Sequence, residues 1–265
     1  MKSTAKELIG NPLYQVNLVI WMAQPSMHLP IKPILYQAGY RLHDIEPELP
    51  LPLDLASTLA DQGIAVSYPV SPDVVLDTPQ QAFVLVECKA SMFGGPRPGE
   101  KPCSQIRQAR ALLLLMPETL ASTLGLQARD VKESKLVYLT RHDPGVPQAE
   151  GVCEVRQGLE DQGHATIDCG IVGLSITKQG VELRKSQGDF QLPSLIETQV
   201  ADTVTVHNTD GKDVDAHMLY YLPWMPGASN EKDDYGQAVF GSRVLAAAAE
   251  IIGPSRPPCD VRLEI

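Results

Sequence analysis

The tightest constraint on this chain is the stretch AFVLVECKA (82–90), an apolar run rich in β-branched residues that ends in Glu-Cys-Lys. A run of this kind reads as a strand buried on both faces, near the centre of an α/β sheet. Side chains alternate along a strand, so Glu87 and Lys89 share one face and Cys88 takes the other. Burying a carboxylate and an ammonium there carries a large desolvation penalty. Their position at the C-terminal end of the strand, beside the Gly- and Pro-rich loop SMFGGPRPGEKP (91–102), eases that penalty and opens both to a ligand.

Upstream, SPDVVL (71–76) is followed by the turn-like TPQQ (78–81). An antiparallel hairpin of 74–78 with 83–89 brings Asp73 level with residues 86–88, although Asp73 lies fourteen positions before Glu87. Two carboxylates and a lysine then meet at one place.

The rest of the chain arranges itself around this hairpin. Residues 1–42 read as mainly helical, cut by prolines at 25, 30 and 33, with Gly39 closing a helix before a strand. Asp54 is placed to cap a short helix, LASTLADQG, stopped by Gly63. IAVSYPV (64–70) runs into SPDVVLDT as a single strand candidate. After the loop come a helix from about Cys103 to Met116, a strand KLVYLT (135–140), a helix in GVCEVRQGLEDQG, and a strand ATIDCGIVGLSIT (165–177). This order predicts an α/β fold, a mixed central sheet flanked by helices. Residues 1–177 form its core. Residues 178–265 read as a C-terminal α+β extension, with strand pieces VTVHN and HMLYYLPW, an Ala-rich helix near 235–252 and a final strand CDVRLEI. The extension packs on the core, with partner docking as its other use.

Composition narrows the function. The net charge is −10, from 22 Lys and Arg against 32 Asp and Glu, which argues against a protein that coats nucleic acid by charge alone. Five dispersed cysteines without a CxxC pair fit reduced thiols in a cytoplasmic setting. No apolar run is long enough to span a bilayer, and the N-terminus lacks a signal-peptide plan. No phosphate-binding glycine loop and no paired histidine spacing is present. The six histidines read as packing or surface residues.

Two carboxylates and a lysine suit metal-assisted phosphodiester cleavage. Asp73 and Glu87, helped by the Cys88 backbone carbonyl, can hold one or two hard divalent cations through oxygen. Such a cation polarises phosphate and lowers the pKa of a bound water, while Lys89 orients that water or meets developing charge. The pattern Pro72-Asp73, hairpin, Glu87-Cys88-Lys89 resembles the PD-(D/E)XK motif of restriction-endonuclease-like nucleases. That resemblance implies Asp73 and Glu87 as metal ligands for Mg²⁺ or Mn²⁺ and Lys89 as the catalytic lysine. It also implies a Glu on the first helix, for which Glu7 is the early candidate, and a Gln on the helix after the motif. Gln105 and Gln108 stand one turn apart in SQIRQAR, with Gln108 preferred.

The bland readings stand beside these. A lone Glu-x-Lys in a strand is usually a surface ion pair, and Asp77 reads as a turn residue. Arg97, Lys101, Gln105 and Arg107 suggest a phosphate-contacting strip, each alone being an ordinary surface residue. Taken together, the expectation is a DNA endonuclease component of a prokaryotic defence or mobile-element system. Such a protein works beside a helicase or ATPase, or as a homo-oligomer. The alternatives are a non-catalytic assembly subunit with a nuclease-like fold and an RNA-cleaving enzyme of the same superfamily.

Overall fold

The computed structural model describes residues 9–23, 33–97, 99–143, 149–177, 180–187 and 203–208. Its elements are α1 (Pro12–Met22), α2 (Ile34–Gln37), β1 (Arg41–Ile45), α3 (Leu53–Asp61), β2 (Val74–Asp77), β3 (Ala82–Lys89), α4 (Ser104–Leu113), α5 (Pro117–Thr123), β4 (Glu133–Arg141), α6 (Gly151–Asp161), β5 (Asp168–Thr177), β6 (Gly180–Gln187) and β7 (Thr203–Asn208). A 3₁₀ turn, Ala128–Asp130, precedes β4.

Among the described residues, the strands form one seven-stranded mixed sheet in sequence order, β1 to β7. β1–β2 and β2–β3 pair antiparallel, β3–β4 and β4–β5 pair parallel, and β5–β6 and β6–β7 are antiparallel again. Each parallel step needs a long crossover, and helices α4–α5 and α6 supply them. The β2–β3 hairpin turns at Thr78–Gln81, where the Gln81 amide donates to the Thr78 carbonyl at 2.8 Å.

Alternation along β3 splits the core in two. Val84, Val86 and Cys88 pack with α1, Val137, Leu139, Val172 and Leu174 on one face. Phe83 and Leu85 pack with Ile106, Ala109, Leu112, Leu136, Tyr138 and Val155 on the other, under α4 and α6. The result is a sheet flanked by helices on both faces.

Three local expectations change. Residues 64–70 do not extend β2: only Val70 bridges, to Leu49, and β2 starts at Val74. Pro69 and Pro72 have no N–H to give a ladder, which confines pairing to the residues after them. Asp54 is not the cap of α3. The helix starts at Leu53 behind Pro52, and Asp54 sits in its first turn, where its charge still favours the helix dipole. The helix after the loop stops at Leu113, and Pro117 opens a separate helix, α5.

The expected boundary at residue 177 falls in the β5–β6 hairpin, and the sheet continues through β6 and β7. The VTVHN strand lies within β7. HMLYYLPW, the Ala-rich segment and CDVRLEI lie outside the described residues.

Candidate active site

Asp73 immediately precedes β2, and the hairpin register pairs Val74 with Val86. Asp73 is thereby carried to the C-terminal end of β3, where its Oδ2 accepts a 2.6 Å hydrogen bond from the Cys88 amide. Its own carbonyl accepts from the Glu46 amide at 3.1 Å, which ties the start of β2 to the end of β1.

Glu87 lies on the α4 side of β3 and is only 1% exposed. Its Oε1 accepts from Lys89 Nζ in a close ion pair and from Gln108 Nε2 at 2.8 Å. Gln108 reaches in from α4, donates again to the Ser71 carbonyl at 3.3 Å, and accepts from Lys89 Nζ at 3.2 Å through its Oε1. One amide therefore clamps the acid, the lysine and the segment leading to Asp73. Gln105, one turn earlier, makes none of these contacts. Helix phase decides between them: Ile106, Ala109 and Leu113 face the core, and Gln108 lies on the flank that meets β3.

Electrostatics follow from burial. Desolvation, reinforced by Asp73, pushes the Glu87 carboxyl up to about 8 against the pull of Lys89 and Gln108. Burial draws the Lys89 ammonium down, but Glu87 and Asp73 outweigh it and hold it above its ordinary value. Two carboxylates thus share one ammonium, and the Oε2 atom of Glu87 is buried without a hydrogen-bond partner. A buried carboxyl oxygen without a hydrogen-bond partner, beside a second carboxyl group, fits a cation site. Among the described residues, no three His, Cys, Asp or Glu side chains cluster as a ready metal site. A cation held by Asp73 and Glu87 would complete its shell with backbone carbonyl or water oxygens. Of Cys88, the amide is engaged at the site, while its thiol sits in the α1 core. Glu7 lies outside the described residues.

The expected phosphate strip is less unified. Arg97 pairs with Glu100 at 3.8 Å, and with Lys101 it lines a cleft of about 280 Å³ at the start of α4. Arg107 is exposed on α4. Arg110, in the same cleft, donates to the Ala65 carbonyl at 3.2 Å. Asp77 closes β2 and bonds His43 at 3.2 Å, away from Glu87.

Sequence reasoning missed two groups. Gln15 is fully buried on α1, and its Nε2 donates to the Ile9 and Lys89 carbonyls at 2.8 and 3.1 Å. An amide inside an otherwise apolar helix was the available signal. The other group is Tyr138, which β4 places beside Glu87. Burial, with Glu87 and Asp73 adding to it, holds the Tyr138 phenol well above its usual range, so it remains a hydrogen-bond donor. Two cysteines that look scattered also meet: the thiols of Cys153 on α6 and Cys169 on β5 share a hydrogen bond.

Comparison with protein families, curated proteins and solved structures returned no match. Among the described residues, no helix is long and apolar enough to cross a membrane.

Proposed function

We propose that this chain is a nuclease of the restriction-endonuclease-like, PD-(D/E)XK kind, hydrolysing DNA phosphodiester bonds with Mg²⁺ or Mn²⁺. The observation that carries the reading is the convergence of Asp73, Glu87, Lys89 and Gln108 at the C-terminal end of one strand. A surface ion pair needs no second carboxylate and no amide clamp. Here both are present, on a hairpin and a helix that meet from distant sequence.

Asp73 and Glu87 would hold the cation, which when bound polarises the phosphate and acidifies water. Lys89, with 20% of its side chain exposed, is the group able to reach outward toward a phosphate or an attacking water. Gln108 holds Lys89 and Glu87 in register with each other. The sheet through β7 serves as the catalytic core. The net charge of −10 favours a protein partner, such as a helicase or ATPase, that brings the substrate.

The test is cleavage of supercoiled plasmid, linear duplex, single-stranded DNA and RNA, in Mg²⁺ or Mn²⁺ and in EDTA. Metal-dependent cutting that disappears in Asp73→Ala and Lys89→Ala is the expected result, and cutting restricted to RNA would reassign the substrate. No cutting together with no divalent-cation binding in calorimetry would overturn the reading.

A further inference from the structure

On the α4 side of the sheet near the end of β3, three buried side-chain atoms have no hydrogen-bond partner: Glu87 Oε2, the Tyr138 hydroxyl and the Thr140 hydroxyl. Parallel pairing sets Glu87 beside Tyr138 and Lys89 beside Thr140. Because side chains alternate identically on both strands, all four share the face under α4. Tyr138 and Thr140 are 0% exposed, and Glu87 is 1% exposed. The Phe93 ring packs edge-on against Tyr138 at 5.8 Å between centroids.

Orphaned buried polar atoms are rare in folded proteins, and a cluster of them marks a place for ordered water. We infer that Tyr138 and Thr140 hold a buried water against the free oxygen of Glu87 and so act as positioning residues for that carboxylate. The hydrogen bonds balance for a single water. The Tyr138 hydroxyl donates to it, it donates to Thr140 Oγ1, and its remaining hydrogen or lone pair meets Glu87 Oε2 in either protonation state. Neither hydroxyl belongs to the motif that suggested the active site, and no local pattern in β4 distinguishes them from core residues. The role in positioning rests on the nuclease reading, whereas the water site itself does not.

The experiment exploits a difference in sign. If the hydroxyls were dry and unpaired, removing them would leave stability unchanged or raise it, since an unmatched polar group is lost. If they hold water against Glu87, removing either leaves that water and the carboxylate short of a partner. Tyr138→Phe and Thr140→Val, which preserve shape, are melted as full chains in EDTA and then titrated with Mn²⁺ by calorimetry. Each variant is expected to lower Tm by roughly 2–4 °C and to weaken Mn²⁺ binding about tenfold. Thr140→Ser, which keeps the hydroxyl, is expected to restore both. A Tm unchanged or raised in both variants overturns the water site. Unchanged Mn²⁺ affinity in variants of a wild type that binds Mn²⁺ overturns the positioning role. If the wild type binds no Mn²⁺ and cuts nothing, the nuclease reading falls, and the melting arm alone decides the water site.

Discussion

The cluster at the end of β3 and the cations at the start of α4 carry charge in opposite ways. Glu87 is 1% exposed and bonded to a lysine and an amide, whereas the Arg97 side chain is 78% exposed and faces Glu100 at 3.8 Å. Charges in the first group cannot relax into water, so each is set by its neighbours, and moving one changes them all. Charges in the second group are screened within a Debye length and act nearly independently. On the proposed nuclease reading, chemistry would belong to the buried cluster, and any contribution of Arg97, Lys101 and Arg107 to substrate attraction.

The comparison is broken most directly at Lys89. Lys89→Ala should reduce cleavage by about 10²–10⁴-fold while leaving duplex affinity, measured by fluorescence anisotropy, within a small factor. A loss of affinity equal to the loss of rate would move Lys89 into the attracting group.

Next in size is the pH dependence of stability. The folded-state pKa of Glu87 is raised to about 8, above its unfolded value, because the neutral form suits the buried site. Its stabilising contribution is full below the unfolded carboxylate pKa and is lost as pH rises through about 8. Glu87→Gln, neutral throughout, should therefore gain on the wild type between pH 5 and 8, ending on the order of a few kcal/mol more stable in EDTA. Denaturant melts at several pH values check this, and parallel curves for the two proteins would contradict it.

Gln108→Leu removes hydrogen bonds to both charged partners, with an expected cost of about 1.5–3 kcal/mol and a roughly 10–100-fold loss of activity. Gln105→Leu should change neither. Equal effects from the two would mean that helix phase does not select the clamp.

The smallest effects are expected outside the cluster. Arg97, Lys101 and Arg107 changed together to Ala should leave kcat unaltered and flatten the salt dependence of DNA binding by up to about three phosphate contacts. Each single variant should stay within about 0.5 kcal/mol of wild-type stability.

Much of this architecture was legible because it is local. Alternation put Glu87 and Lys89 on one face, and a short turn brought Asp73 to them, as the Val74–Val86 register and the Cys88–Asp73 bond bear out. The helix after the loop, β4, α6 and β5 announced themselves by periodicity. Failures came where proline decided the backbone: residues 64–70 looked like strand, and the break before Pro117 was read through as helix. β6 was overlooked because GVELRKSQ reads as a polar segment until β5 is there to pair with it.

By itself the sequence determined which residues lie on each side of β3, since backbone geometry enforces a two-residue period wherever a strand forms. It also determined that a carboxylate and a lysine end a buried run. Tertiary structure alone decided which glutamine clamps them, because Gln105 and Gln108 differ only in how α4 is rotated against the sheet. It alone brought Gln15 to the Lys89 carbonyl and set Tyr138 and Thr140 beside Glu87 and Lys89. Those partners are dozens of residues away, and parallel pairing and helix docking leave no mark in the local sequence. Their register is set by how the whole apolar core packs.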